Sequence, residues 1–169
     1  DIASKRVPRA EFRVDSLFSA EIPPCNAVTS IGECFNYLFD SKNDNQRLVE
    51  LFNRIYKALT PGGVFVFDIT TPGQVSGGIT TKGFTEGEDW IVLVEKEEKQ
   101  EILTRRIITF RRVEEHYRRD EEIHHQRLYK PEEIERALDQ IGFGFQTLHN
   151  YGEFNLPPNH TAFVARKLT

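Results

Sequence analysis

Methionine is absent from the 169-residue chain, including its first position, where Asp1 stands. A polypeptide without an initiator residue is expected to be a segment of a longer one or a processed product. Cysteine is nearly absent. Cys25 and Cys34 have neither the count of a disulfide scaffold nor metal-ligand spacing, which suits a reducing compartment. No apolar run approaches the ~20 residues that cross a bilayer, and residues 1–6 lack the apolar core of an export signal. An excess of basic charge is also missing: 22 Lys and Arg against 26 Asp and Glu leave a net charge of −4, unlike a duplex-binding domain. These deficits together set the expectation of a cytoplasmic protein with no membrane partner and no nucleic-acid partner. His116, His124 and His125 lack further ligands at zinc spacing, so no metal is expected.

Aromatic residues are plentiful: 13 Phe, 5 Tyr and one Trp give enough core for one ordered domain. Residues 44–59 carry Leu48, Leu51, Phe52, Ile55 and Leu59 at helical spacing, with Ser41, Asn43 or Asp44 available as the cap. Pro61-Gly62-Gly63 stops that helix. The run Val64-Phe65-Val66-Phe67-Asp68 reads as a parallel strand buried on both faces. Residues 26–32 read as another buried strand, so strand, helix and strand form a right-handed βαβ unit.

Weak alternation at 11–14 suggests a short strand before a loop. Residues 70–87 are rich in Gly, Thr and Pro and read as a mobile loop. Charged β-like segments at 90–96, 102–113 and 117–129 suggest a three-stranded antiparallel insert with a turn over 96–101. Pro131 opens a second helix that Gly142 stops. Residues 145–151 and 161–166 read as closing strands.

Ile123, His125, Arg127 and Tyr129 share one strand face, and His124, Gln126 and Leu128 the other. The first face offers a base in His125 and hydrogen-bonding groups in Arg127 and Tyr129; His124 is the rival base, and Glu33 and Asp68 are lesser candidates. Six further arginines, in pairs at 105/106, 111/112 and 118/119, alternate between faces among acidic residues. They read as a charge-laced exposed sheet.

In order along the chain, Val7 to Ser16, Cys25 to Glu33, the Leu59-Thr60-Pro61-Gly62-Gly63 turn into residues 64–68, Arg127 to Ile134 and His160 to Ala165 resemble strands three, four, five and beyond of class I S-adenosylmethionine-dependent methyltransferases. The insert is similar to that of the small-molecule N- and O-methyltransferases, amino-sugar N-methyltransferases included. The resemblance implies an α/β fold: a partial Rossmann-like methyltransferase fold whose mostly parallel sheet carries the antiparallel insert. It implies one domain over 1–169, the C-terminal two-thirds of a methyltransferase, with 1–69 and 130–169 as the Rossmann-like part and 88–129 as an insert or lid.

The family's Gly-rich loop after strand one and the acid ending strand two have no counterpart in these residues. The cofactor implied is S-adenosylmethionine, contacted by Asp15, Ser16 and Leu17 and by Ser30, Ile31 and Gly32. The partner implied is a small-molecule acceptor, nitrogen or oxygen, near Asn36 and Tyr37, with His125, Arg127 and Tyr129 as catalytic candidates. Some sugar N-methyltransferases have a His at the position of His124. Without strands one and two, strand four becomes an apolar sheet edge, open to pairing in a homo-oligomer. The alternatives are a non-catalytic interaction module that pairs through that edge and, less well matched, a nicotinamide-dependent oxidoreductase.

Overall fold

Two four-stranded sheets and two long helices make up the molecule, which a computed structural model describes for residues 2–40, 43–75 and 80–168. In chain order the elements are α1 (Ile2–Arg6), β1 (Cys25–Ser30), α2 (Asn45–Ala58), β2 (Leu59–Thr70), β3 (Thr81–Glu86), β4 (Trp90–Lys99), β5 (Ile102–Val113), β6 (His116–Arg127), α3 (Pro131–Ile141), β7 (Phe143–Leu148), β8 (Asn150–Tyr151), β9 (Phe154–Asn155) and β10 (His160–Lys167). The first sheet has the order β1-β2-β10-β7, the second β3-β4-β5-β6, and β8 and β9 form a small hairpin.

β1 and β2 pair in parallel, with Val28 beside Phe65 and Ser30 beside Phe67, as the uninterrupted apolar runs led us to expect. β10 then inserts antiparallel between β2 and β7. The sheet is therefore mixed rather than mostly parallel: of its three strand pairings only β1–β2 is parallel.

α2 forms because its apolar residues recur on one face. Asp44 accepts the N–H of Arg47 at the N-terminus, and Leu48, Leu51, Phe52 and Ile55 are buried. Asp44 is thus the cap; Ser41 lies outside the described residues. α3 starts at Pro131 and ends on Gly142 in the left-handed region (φ 101°), whose N–H reaches Leu138 and Asp139, a conformation only glycine adopts without strain.

Both helices bury their apolar stripes in one core with Phe65, Phe67 and Phe163 of the sheet and Phe35 of the β1–α2 segment. Phe35 meets Phe52, Phe65 and Phe67 edge-on at 5.5–6.1 Å between centroids, the geometry in which ring quadrupoles attract. The opposite face of the sheet is barely covered. Ala27 and Thr29 are exposed, and Val64, Val66 and Val164 only half-buried. β1 is one edge of the sheet and β7 the other.

Three expectations need correction. Residues 11–14 form no strand. Phe12 and Val14 are exposed, so the weak alternation there has no partner to pack against. The second sheet has four strands, because Thr81–Glu86 pairs with β4. That strand occupies part of the expected loop, whose residues 76–79 lie outside the described ones. The turn between β4 and β5 is also tighter than expected: β4 runs to Lys99, and Gln100 takes φ 57°.

Gly63, inside β2 where its register with β1 shifts, tolerates no side chain. A Cβ there would sit 2.8 Å from the Thr60 carbonyl and 3.1 Å from that of Asn26. Gly63→Ala should therefore lower the unfolding free energy by about 1–3 kcal/mol in urea denaturation followed by circular dichroism. An unchanged midpoint would contradict this account of Gly63.

Candidate functional site at the ends of the parallel strands

The carboxyl ends of adjacent parallel strands are where open α/β sheets place ligands, and here β1 and β2 end side by side. Past Ser30 the chain turns sharply, with Gly32 at φ 90° and Glu33 at φ 60°. The second is costly for a non-glycine residue. Asp68 near the end of β2 offsets that cost. Its buried carboxylate accepts the N–H groups of Gly32 (2.9 Å) and Glu33 and the hydroxyl of Tyr151 (2.9 Å). The turn so held directs the Glu33 side chain toward the second sheet.

Glu33 meets three elements, two of the second sheet and one of the first. Its carboxylate lies 2.7 Å from Gln126 Nε2 on β6, 3.3 Å from His160 Nε2 on β10 and 3.6 Å from Arg105 Nη1 on β5. Burial works to raise the Glu33 carboxyl, but hydrogen bonds from His160, Gln126 and Thr70 outweigh it and hold the group at about 2. The same carboxylate raises the His160 imidazole against its partial burial, with help from the Pro158 carbonyl. Burial, then Glu33, raises the Tyr37 phenol; burial and Asp68 raise that of Tyr151. Both phenols stay protonated at neutral pH.

His124 and Arg105 are directly paired across β5 and β6. His124 Nε2 lies 2.9 Å from the Glu122 carboxylate, and its ring meets Tyr37 and Phe39 edge-on. Tyr37 and Phe39 are stacked on each other with centroids 5.1 Å apart. Four polar atoms in this neighbourhood are buried without a partner: Ser30 Oγ, Arg105 Nε, His124 Nδ1 and Gln126 Oε1. Each such atom costs about 1–3 kcal/mol, so each calls for an explanation.

The residues singled out from the sequence divide between this site and other duties. Ser30 and Gly32 lie at it, and Ile31 beside them is half exposed. Tyr37 also lies there, with a backbone bridge to Gln126. Asn36 is instead a staple. Fully buried, it donates to the carbonyls of Thr70 and Arg127 and accepts from the Thr70 N–H, which leaves its amide nothing for a ligand. Tyr129 lies beyond the end of β6, in the helix-side core; its hydroxyl donates to Asn43, and burial pushes it up to about 12.

His125 faces away from Gln126, exposed beside Thr104. Arg127 bonds Asn45 and lines a different surface cavity, of about 670 Å³, with Pro72, Glu101 and Lys130. His125, Arg127 and Tyr129 are therefore not brought together. Asp15, Ser16 and Leu17 form a turn before β1: Asp15 accepts the Ser16 N–H, Ser16 bonds Asp40, and the Leu17 carbonyl is held by Arg54 of α2.

The sequence offers His124 as the rival base and Glu33 and Asp68 as lesser candidates, and does not single out His160 or Tyr151. The left-handed Gly32-Glu33 turn at a strand end was the available signal. Among the described residues no group of three His, Cys, Asp or Glu side chains converges as a metal site, and no helix is long and apolar enough to cross a membrane.

A stability profile tests the Glu33–His160 pair. Glu33 contributes fully above about pH 4.5 and loses that contribution as pH falls toward 2. His160 contributes fully below pH 6.5 and loses its share as pH rises through its raised value. The two overlap between about pH 4.5 and 6.5, by proton linkage. The urea midpoint of Glu33→Gln should fall furthest below wild type in that window and converge with it near pH 2. A difference constant with pH would contradict the pairing.

The chain matches no protein-family model and no curated protein sequence. Solved structures do match. An S-adenosylmethionine-dependent methyltransferase from Clostridium acetobutylicum is 20% identical with a TM-score of 0.81, over 99% of this chain and 69% of the other. The sugar N-methyltransferase KedS8 from Streptoalloteichus is 17% identical with a TM-score of 0.74, over 99% and 66%. The amino pentose methyltransferase CalS10 from Micromonospora echinaspora, solved with S-adenosylmethionine bound, is 15% identical with a TM-score of 0.76, over 98% and 68%. This chain thus spans about two-thirds of the length of these neighbours, and over that span it has the α/β fold of methyltransferases.

Proposed function

We propose that the protein takes part in S-adenosylmethionine-dependent methyl transfer to a small-molecule acceptor at the β1–β2 strand ends, with nitrogen as the acceptor atom. The observation that carries this reading is the set of unpartnered buried groups around the end of β1, in a fold shared with sugar and amino-sugar methyltransferases. Ser30 Oγ is buried and unpaired, and nothing lies within 4 Å of where a Gly32 Cβ would stand. The end of β1 therefore has an unmet hydroxyl at Ser30 and, two residues on, room beside the Gly32 backbone, both of which suit a polar cofactor. S-adenosylmethionine supplies a methyl group on a sulfonium. The chain's own part is to hold the acceptor in line and to take its proton.

His124 fills the second role better than His125. With Nε2 donating to Glu122, its Nδ1 keeps the free lone pair, and that atom is the buried, unpartnered one. The acceptor ammonium first gives a proton to His124 Nδ1, and the free amine then attacks the methyl carbon as its bond to sulfur breaks and the thioether leaves. Tyr37 and Phe39 wall the same place. The other cofactor contacts belong, in this reading, to a completing segment that packs on the β1 edge and the sheet face of Ala27, Thr29, Val64 and Val66. A second copy of the chain pairing on that edge is the competing occupant, and sedimentation velocity separates the two.

The test is methyl transfer from labelled S-adenosylmethionine to a panel of small amines and alcohols, using the chain joined to the upstream residues of its coding sequence. We expect amine methylation, lowered roughly a hundredfold or more by His124→Gln, as for loss of a general base, and unaffected by His125→Gln. By calorimetry the 169-residue chain alone should bind the cofactor weakly. A protein that binds the cofactor tightly and methylates nothing on the panel, or a His124→Gln enzyme of full activity, would contradict the reading.

A further inference from the structure

We propose that Glu33 is a positioning residue that fixes the side-chain amide of Gln126, so that Gln126 Oε1 reads a hydrogen-bond donor, an O–H or N–H beside the reacting nitrogen, on the molecule bound here. The proposal deepens the methyl-transfer reading and rests on it for the identity of the site.

Three observations carry the orientation. An ionised carboxylate only accepts hydrogen bonds, and Glu33 Oε2 is 2.7 Å from Gln126 Nε2. Flipping the amide would set two acceptor oxygens together, so the carbonyl is the atom left over. Gln126 is fully buried, and its Oε1 has no partner in the protein. Its backbone is also locked. Gln126 pairs with Leu103 and bridges to Tyr37, the Leu38 N–H bonds the His125 carbonyl, and the Arg127 N–H bonds the Asn36 carbonyl. The side chain therefore has little freedom to turn elsewhere.

Glu33 is itself aimed from below by Asp68, through the Gly32 and Glu33 N–H groups. A chain of contacts thus runs from β2 through the turn to the second sheet. His124 lies two residues before Gln126, and alternate strand residues share a face. That face presents two unmet acceptors, His124 Nδ1 and Gln126 Oε1, with one unmet donor, Arg105 Nε, across from His124. A vicinal amino alcohol matches this set: its amine N–H meets His124, its hydroxyl hydrogen Gln126 and its hydroxyl oxygen Arg105. A simple amine leaves Gln126 unpaired.

The probes are trans-2-aminocyclohexanol and cyclohexylamine, titrated without cofactor into the 169-residue chain and followed by NMR on the Gln126 side-chain NH2 and the His124 ring. One hydrogen bond to a buried acceptor corresponds to roughly a tenfold preference for the amino alcohol. In wild type we expect that preference, together with a downfield, Glu33-dependent Gln126 NH2 signal. In Gln126→Met the two probes should bind equally. In Glu33→Gln, which keeps Gln126 but frees its amide to flip, the preference should shrink several-fold and the downfield signal should disappear. Equal binding of the probes to wild type, binding of neither, or a preference that survives in both variants would overturn the proposal. If Gln126→Met does not fold, Glu33→Gln decides alone. Because no cofactor or turnover is involved, failure here is distinguishable from failure of the methyl-transfer reading, which the labelled assay judges.

Discussion

The site depends first on one carboxylate. Asp68 ends the apolar run of β2, and from there it holds the two N–H groups of a turn that leaves β1 in left-handed geometry. A buried acid in such a place is expensive unless its hydrogen bonds are supplied; the turn and Tyr151 supply them. In return the turn gains a conformation that Glu33 would otherwise resist. Everything beyond that point follows from where Glu33 is sent.

Glu33 joins the two sheets electrostatically, and asparagine joins them through amide hydrogen bonds. Asn36 ties the end of β2 to the end of β6, while Asn43 donates to the carbonyls of Phe35 and Tyr37 and accepts from Tyr129. Each buried amide replaces the regular ladder that an irregular segment lacks, as buried backbone polar groups require. The antiparallel sheet is thereby fixed over the strand ends, with His124, Arg105 and Gln126 facing the turn. Tyr37 and Phe39 belong to the same stapled stretch, so the aromatic wall is set by the same contacts. The second sheet itself is held by cross-strand pairs, many of them between exposed charges that contribute little to stability.

Legibility followed periodicity. β1, α2, β2, α3 and β10 announce themselves because each buries a patterned face, and Asp44 and Gly142 mark helix ends by chemistry that is local to the sequence. β3 was missed because all six of its residues are exposed and polar ones dominate; its order comes from pairing with β4, which leaves no trace in its own pattern. Residues 11–14 failed in the opposite sense, with alternation but no neighbour. At the site, the sequence gives the parity of the residues on β6 but not which parity turns toward β1. That choice is made by the packing of the whole sheet, which turns Gln126 to Glu33 and His124 to Tyr37 and leaves His125 beside Thr104. Tyr129 lies two residues past the end of β6 in the helix-side core, and Asn36 spends its amide on backbone groups, contacts that strand parity does not reveal.

The account's central claim is that a half-buried, ionised Glu33 organises the groups around the strand ends. The most direct measurement is the titration of its side-chain carboxyl carbon by NMR in the folded chain. The account predicts a midpoint at about 2, moving up when His160 is replaced by Gln. A midpoint at the ordinary value of 4.5, indifferent to His160, would contradict it.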